Sequence, residues 1–144
     1  MTLQHVSIVY AGSLERGHAL QRALGPHGAH LWPATQAQEA LAFYVFYLPD
    51  HVIIDDVPDA KRADEVYFHL SSIEAAPMII LSSEPRLGLW REVASASTLV
   101  LAHDLPDAEL LEAVARLSLQ HRSAFKTQKA RAKLEDSVAS TSCG

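Results

Sequence analysis

The chain has 144 residues, 49% of them apolar, and a formal net charge of −5. That is enough for one domain with a real core, and it excludes a disordered chain and a wholly basic nucleic-acid binder. No apolar run approaches the ~20 residues that span a bilayer. The opening MTLQHVSIVYAG lacks the layout of a signal peptide, so a cytoplasmic protein with no membrane partner is expected. One cysteine, Cys143, has no internal disulfide partner, which suits a reducing compartment.

Residues 5–12, HVSIVYAG, form a short apolar run ending at Gly12 and predict a strand. In SLERGHALQRALGPHG, Leu14, Ala19, Leu20, Ala23 and Leu24 recur at helical spacing, with Ser13 as N-cap and Gly25-Pro26 as a stop. Residues 29–34 predict a second strand. Residues 35–48 predict a helix capped by Thr35, with Ala37, Leu41, Val45 and Leu48 among its apolar positions, although the FYVFY centre has strand-like propensity. HVIIDD (51–56) predicts the third strand. Residues 60–73 predict a helix with Val66, Phe68 and Leu70 partly inward. PMIILSS (77–83) is a clear strand, 85–96 a weaker helix, and 97–102 a fifth strand. Residues 107–122 form a strong helix, with Asp107 as N-cap and Leu110, Leu111, Val114 and Leu117 on one side.

Strands and helices thus alternate five times, and several strands are continuous apolar runs. The pattern predicts an α/β fold, a three-layer, doubly wound, five-stranded parallel sheet of flavodoxin-like type with helices on both faces. It would occupy residues 1–121, followed by a basic helical extension and tail over 122–144. In such sheets functional groups gather at the carboxyl ends of the strands. Asp55 and Asp56 are therefore expected where the third strand leaves the sheet and meets solvent.

Three motifs, PDHVIIDDVP (49–58), PMIILSS (77–83) and LPDAELLEAV (105–114), stand in an order and spacing that resembles the CheY-like receiver domain of two-component response regulators, over roughly residues 4–120. The resemblance implies a phosphoacceptor aspartate five residues after the aspartate of PD, here Asp55. It also implies a hydroxyl contact to the phosphoryl group at the end of the fourth strand, here Ser82. Three positions depart from the family. Tyr10 and Ala11 stand where an acidic pair would hold Mg²⁺, His103 and Asp104 where a lysine would lie, and Val100 where a switching aromatic would be. The sequence resembles an atypical, degenerate receiver.

The departures have chemical weight. Phosphoryl transfer needs the charge of the migrating group neutralised, mainly by metal and cations. Asp55 with a backbone carbonyl is a poor Mg²⁺ site, Tyr10 offers a phenol, and His103 supplies a cation only when protonated. The expectation is a non-enzymatic signalling protein without metal or cofactor. It would act in a phosphorelay by contact with a sensor kinase or output protein, with phosphorylation at Asp55 weak or absent. Asp55 is either a phosphoacceptor or a strand-end carboxylate capping a loop. Asp56 reads as loop-solvated or capping. Ser82 is a phosphoryl contact or satisfies a strand-end backbone group, and His103 is a second phosphoryl-contact candidate.

Eight histidines are scattered with no i, i+4 pair, which disfavours a metal site. Trp32 and Trp90 read as packing or surface anchors, and FYVFY as core packing or a contact patch. The tail 122–144 carries Arg122, Lys126, Lys129, Arg131 and Lys133. It reads as a helix pairing in a homodimer, a linker to an output domain, or a solvated tail. Two rivals stay open. One is a small flavodoxin-like cofactor or nucleotide binder, for which Gly12 and Ser13 are thin support. The other is a regulatory module of a nucleic-acid-binding transcription regulator, although nucleic acid is not the expected partner of this chain.

Overall fold

The computed structural model describes residues 3–73 and 76–120. Five strands, β1 (Ser7–Ala11), β2 (His30–Ala34), β3 (His51–Asp55), β4 (Met78–Ser82) and β5 (Thr98–Ala102), pair in parallel in the order β2-β1-β3-β4-β5. Between them run α1 (Leu14–Leu24), α2 (Ala37–Tyr47), α3 (Ala60–Ser72) and α4 (Leu87–Val93), and residues 107–120 form a last helix, α5. This is the expected doubly wound parallel sheet. The extension expected over 122–144, and the dimer contact assigned to it, lie outside the described residues. No helix among the described residues is long and apolar enough to cross a membrane.

β3 and β4 are buried along their whole length, which explains their unbroken apolar runs. The pleat sends alternate residues to opposite layers. Val52, Ile54, Met78 and Ile80 pack with Ala63, Val66, Leu70 and Trp90 of α3 and α4. Ile53, Ile79 and Leu81 pack with Tyr10, Leu20, Leu24, Leu110 and Val114, between the sheet and α1 and α5. Ser13 caps α1 as expected, its Oγ accepting from the Arg16 N–H. The helix ends through a tight turn over Gly25–His27 into Gly28, whose φ of 96° suits glycine.

Expectations for four of the helices need correction. The N-cap of α2 is Gln36 rather than Thr35, whose own N–H donates to Glu39 Oε1. Ala37 and Ala40 face the core, whereas Val45 and Leu48 are exposed and Phe46 is 80% exposed. With polar residues only at Gln38 and Glu39 the helix has little polar face to turn outward, so Ala37 and Ala40 settle against the sheet, Leu41, Phe43 and Tyr44 pack at the edge of the core, and the C-terminal end stays outside. In α3, Tyr67 takes the inward place and donates its hydroxyl to Val93 O, leaving Phe68 exposed. α4 is shorter than 85–96, because Pro85 sits in a separate turn over Glu84–Arg86. Asp107 is already helical, and the first N–H groups of α5 bond to Pro106 O.

These placements make a paired test by urea denaturation. Ile54→Ala should lower stability by about 2–5 kcal/mol, as a cavity in the fully buried layer. Phe46→Ser should change it by less than about 0.5 kcal/mol. Equal effects would mean that α2 is turned the other way.

Candidate functional site

Two adjacent carboxylates stand at the carboxyl end of β3, and the pleat divides them. Asp55 continues the face of Ile53, and Asp56 turns to the face of Ile54. Neither meets solvent, contrary to expectation: Asp55 is 1% exposed and Asp56 3%. A buried carboxylate is costly unless donors surround it, and each side of the sheet supplies its own set.

On the side of α1 and α5, Asp55 Oδ2 accepts from the Tyr10 hydroxyl at 2.8 Å. Its Oδ1 takes the Val57 N–H at 3.1 Å and lies 2.8 Å from His103 Nδ1. Arg16, one turn into α1, donates to the His103 carbonyl oxygen. Its Nη1 also lies 3.3 and 3.4 Å from the two imidazole nitrogens. On the opposite side, Asp56 Oδ1 accepts the Ser83 N–H at 2.7 Å, and Oδ2 takes Trp90 Nε1–H at 2.9 Å and Ser82 Oγ–H at 3.3 Å. Arg86 covers the Trp90 ring, 5.1 Å from its centroid, and pairs with Asp64.

Of the three candidates, the structure joins Asp55 and His103. Ser82 does not reach Asp55: its hydroxyl meets a strand-end backbone group, Ser83 O at 2.8 Å, and lies 3.3 Å from Asp56 Oδ2 on the other face. Asp56 is a capping residue of the β4 exit, and not a solvated one, because Trp90 closes over it. Sequence reasoning noted Tyr10 only as a missing carboxylate, whereas it is a direct partner of Asp55. A signal was present, since Tyr10 pairs in register with Ile53, whose side of the sheet Asp55 shares. Arg16 and Trp90 were missed, and no spacing in the sequence ties either to an aspartate.

Tyr10 also fills the buried space beside Asp55. A Cβ on Gly12 would run into its ring, and a Cβ on Gly17 would lie 2.7 Å from Pro33 Cβ and 3.2 Å from Tyr10 Cδ1. Glycine at both positions is what makes room for the phenol. Burial, then the charge of Asp55 and the hydrogen bond to it, push the Tyr10 phenol above its ordinary value. Among the described residues no group of three or more His, Cys, Asp or Glu side chains is arranged to hold a metal ion. The oxygens of Asp55 face hydrogen-bond donors, whereas Mg²⁺ requires several oxygen ligands.

Many solved receiver domains share this fold. A response-regulator receiver domain from Clostridium thermocellum superposes with a TM-score of 0.73 at 14% identity, covering 83% of this chain and 98% of its own. The BeF₃-activated N-terminal receiver domain of Klebsiella pneumoniae RstA gives 0.65 at 24% identity, covering 81% and 98%. The receiver domain of a signal transduction histidine kinase from Syntrophus aciditrophicus gives 0.68 at 21% identity, covering 80% and 91%. No protein-family model matches the chain, and no curated protein matches it. The chain has the receiver fold, at a sequence distance that leaves its site to be argued from its own residues.

Two outcomes follow from this geometry. A phenol raised in the folded state supports folding fully below its unfolded value near 10, and that support is lost as pH rises toward the folded value. Tyr10→Phe should therefore leave the 295 nm phenolate absorbance gained up to pH about 11 unchanged. Loss of one tyrosine's share of that signal would show Tyr10 titrating normally. Trp90→Phe keeps an aromatic ring but removes the indole donor from buried Asp56 and part of the buried volume, and should cost at least about 1–3 kcal/mol in urea melts; no loss would mean the indole bond is idle.

Proposed function

We propose that this chain is a signalling module of the atypical receiver kind, not an enzyme. It works by contact with a sensor kinase or an output protein of a two-component system, and it resides in the cytoplasm. Phosphorylation of Asp55 is weak or absent. The receiver fold supports the class, and one observation carries the atypical part: both oxygens of Asp55 are held by donors from the chain itself, at 1% exposure. An attacking carboxylate needs a lone pair directed at phosphorus and cations around the migrating group. Using Asp55 would first require separating it from Tyr10, Val57 and His103, and bonds to a charged group are worth about 1.5–3 kcal/mol each.

A cofactor or nucleotide reading is less well supported. It needs an open phosphate loop after β1, where Tyr10 instead packs against Gly12 and the Ser13 side chain is spent on capping α1. No observation favours nucleic acid.

The test uses the full chain. Millimolar Mg²⁺, alone and with beryllofluoride, should leave the amide NMR signals of Tyr10, Asp55 and Ser82 in place, although the RstA receiver is described as BeF₃-activated. A photo-crosslinking residue at Asp104, on the rim of the site, should capture a histidine kinase or a regulator polypeptide in cells. Saturable beryllofluoride shifts would overturn the atypical reading. A bound chromophore absorbing in the visible would overturn the signalling reading in favour of a cofactor carrier.

A further inference from the structure

We propose that His103, and not Asp55, is the phosphoryl-accepting side chain of this site, taking the group on Nε2 from a phosphoramidate donor such as the phosphohistidine of a partner protein. The inference deepens the signalling reading and rests on it.

The first ground is the proton arrangement. Asp55 Oδ1 and Oδ2 accept from Val57 N–H and Tyr10 O–H and act toward His103 as an acceptor too. In the neutral imidazole the ring proton then sits on Nδ1, which assigns the lone pair of that form to Nε2. A histidine held by a carboxylate through one nitrogen and presenting the other is an oriented nucleophile.

The second ground is access. The His103 side chain is 31% exposed where Asp55 is 1%. It borders two open grooves, one lined by Ser13, Arg16, Val57 and Pro58, the other by Ser83 and Leu87. His51, by contrast, is fully buried, with Nε2 against Ser118 Oγ at 2.7 Å.

The third ground is charge. Arg16 Nη1 lies almost equally far from both ring nitrogens, 3.3 and 3.4 Å. A contact in line with one lone pair would be much closer to that nitrogen than to the other. The guanidinium therefore does not meet the Nε2 lone pair in line, and it supplies a fixed positive charge at the rim. Glu15 lines the same groove on its exposed side, whereas Glu84 and Asp104 border the other, so the phosphoryl group is expected on the Arg16 side.

The step balances without a metal or redox partner. The Nε2 lone pair forms the new N–P bond. The donor's P–N bond breaks, and its electrons leave with the departing nitrogen, which the donor already carries protonated, so that it departs as neutral ammonia or neutral imidazole. The ring becomes a phospho-imidazolium that keeps its Nδ1 proton, and its positive charge faces the Asp55 carboxylate. One N–P bond replaces another, so the transfer is close to thermoneutral.

Potassium phosphoramidate with the full chain tests this. Intact mass should show one phosphoryl group that is acid-labile and hydroxylamine-stable, and fragmentation should map it to His103. The exposed His69 serves as the control for unselective labelling, and should react at least about tenfold more slowly, as expected for loss of one preorganised electrostatic partner. His103→Asn should abolish the group. Arg16→Gln should slow its formation without moving it. Asp55→Asn should slow it and alter the pH profile of the rate, which a merely structural role would leave in place. Because the site is mapped on the wild-type chain, a variant that fails to fold does not blur the answer. Labelling of His103 no faster than of His69 overturns the proposal and leaves the contact-based reading standing. A hydroxylamine-labile group on Asp55 overturns both.

Discussion

A strand buried on both faces cannot end in two carboxylates unless each finds donors in its own layer. That constraint organises the carboxyl edge of this sheet. The pleat sends Asp55 toward Tyr10, Val57 N–H and His103, and Asp56 toward Ser82, Ser83 N–H and Trp90. The requirement then spreads outward. Tyr10 reaches Asp55 only because Gly12 and Gly17 carry no Cβ. His103 is placed by its own N–H, which donates to Ser82 O at the end of β4, and by Arg16 on its carbonyl.

The two halves do different work. The Asp56 half is closed and structural. α4 has seven residues, too few to be stable on its own, and its one buried side chain is Trp90. The indole bond to Asp56, with Arg86 stacked on its outer side, anchors that short helix to the end of β3. The Asp55 half is buried at its base and open at its rim. Its carboxylate is inaccessible, while the imidazole it holds borders two grooves. Access is thus displaced one side chain outward, from the strand end to the loop after β5.

The layered fold was legible because β3 and β4 are continuous apolar runs and the first helix is bounded by Ser13 and Gly25-Pro26. The meeting of Asp55 and His103 was legible in outline, since parallel pairing brings strand ends together. The division of Asp55 from Asp56 was also available in principle from the period of two. It was lost because the strand was expected to end in water, where facing carries no cost. Trp90 lies 34 positions from Asp56, and only the packing of α4 connects them. The orientation of α2 was hidden by its composition: with polar residues only at Gln38 and Glu39, periodicity has little to select. Thr35 was chosen as a cap by residue type, but the backbone turned one position later, at Gln36, and offered the Thr35 N–H to Glu39 instead.

The Tyr10–Ala11 pair and His103 read in the sequence as separate losses from a receiver site, and the geometry joins Tyr10 and His103 in one arrangement around Asp55. An acidic pair beside Asp55 would gather like charges that only a cation could hold together. With Tyr10 and Ala11 in its place, Asp55 is a single buried carboxylate. It is satisfied by neutral donors and one imidazole, with no ion required. Each change makes sense only with the others. A carboxylate at position 10 would face Asp55 with neither metal nor donor between them. A chain without the Tyr10 hydroxyl would leave Oδ2 short of a partner. The compensation is therefore local, and the groups that the arrangement leaves at the rim are His103 and Arg16.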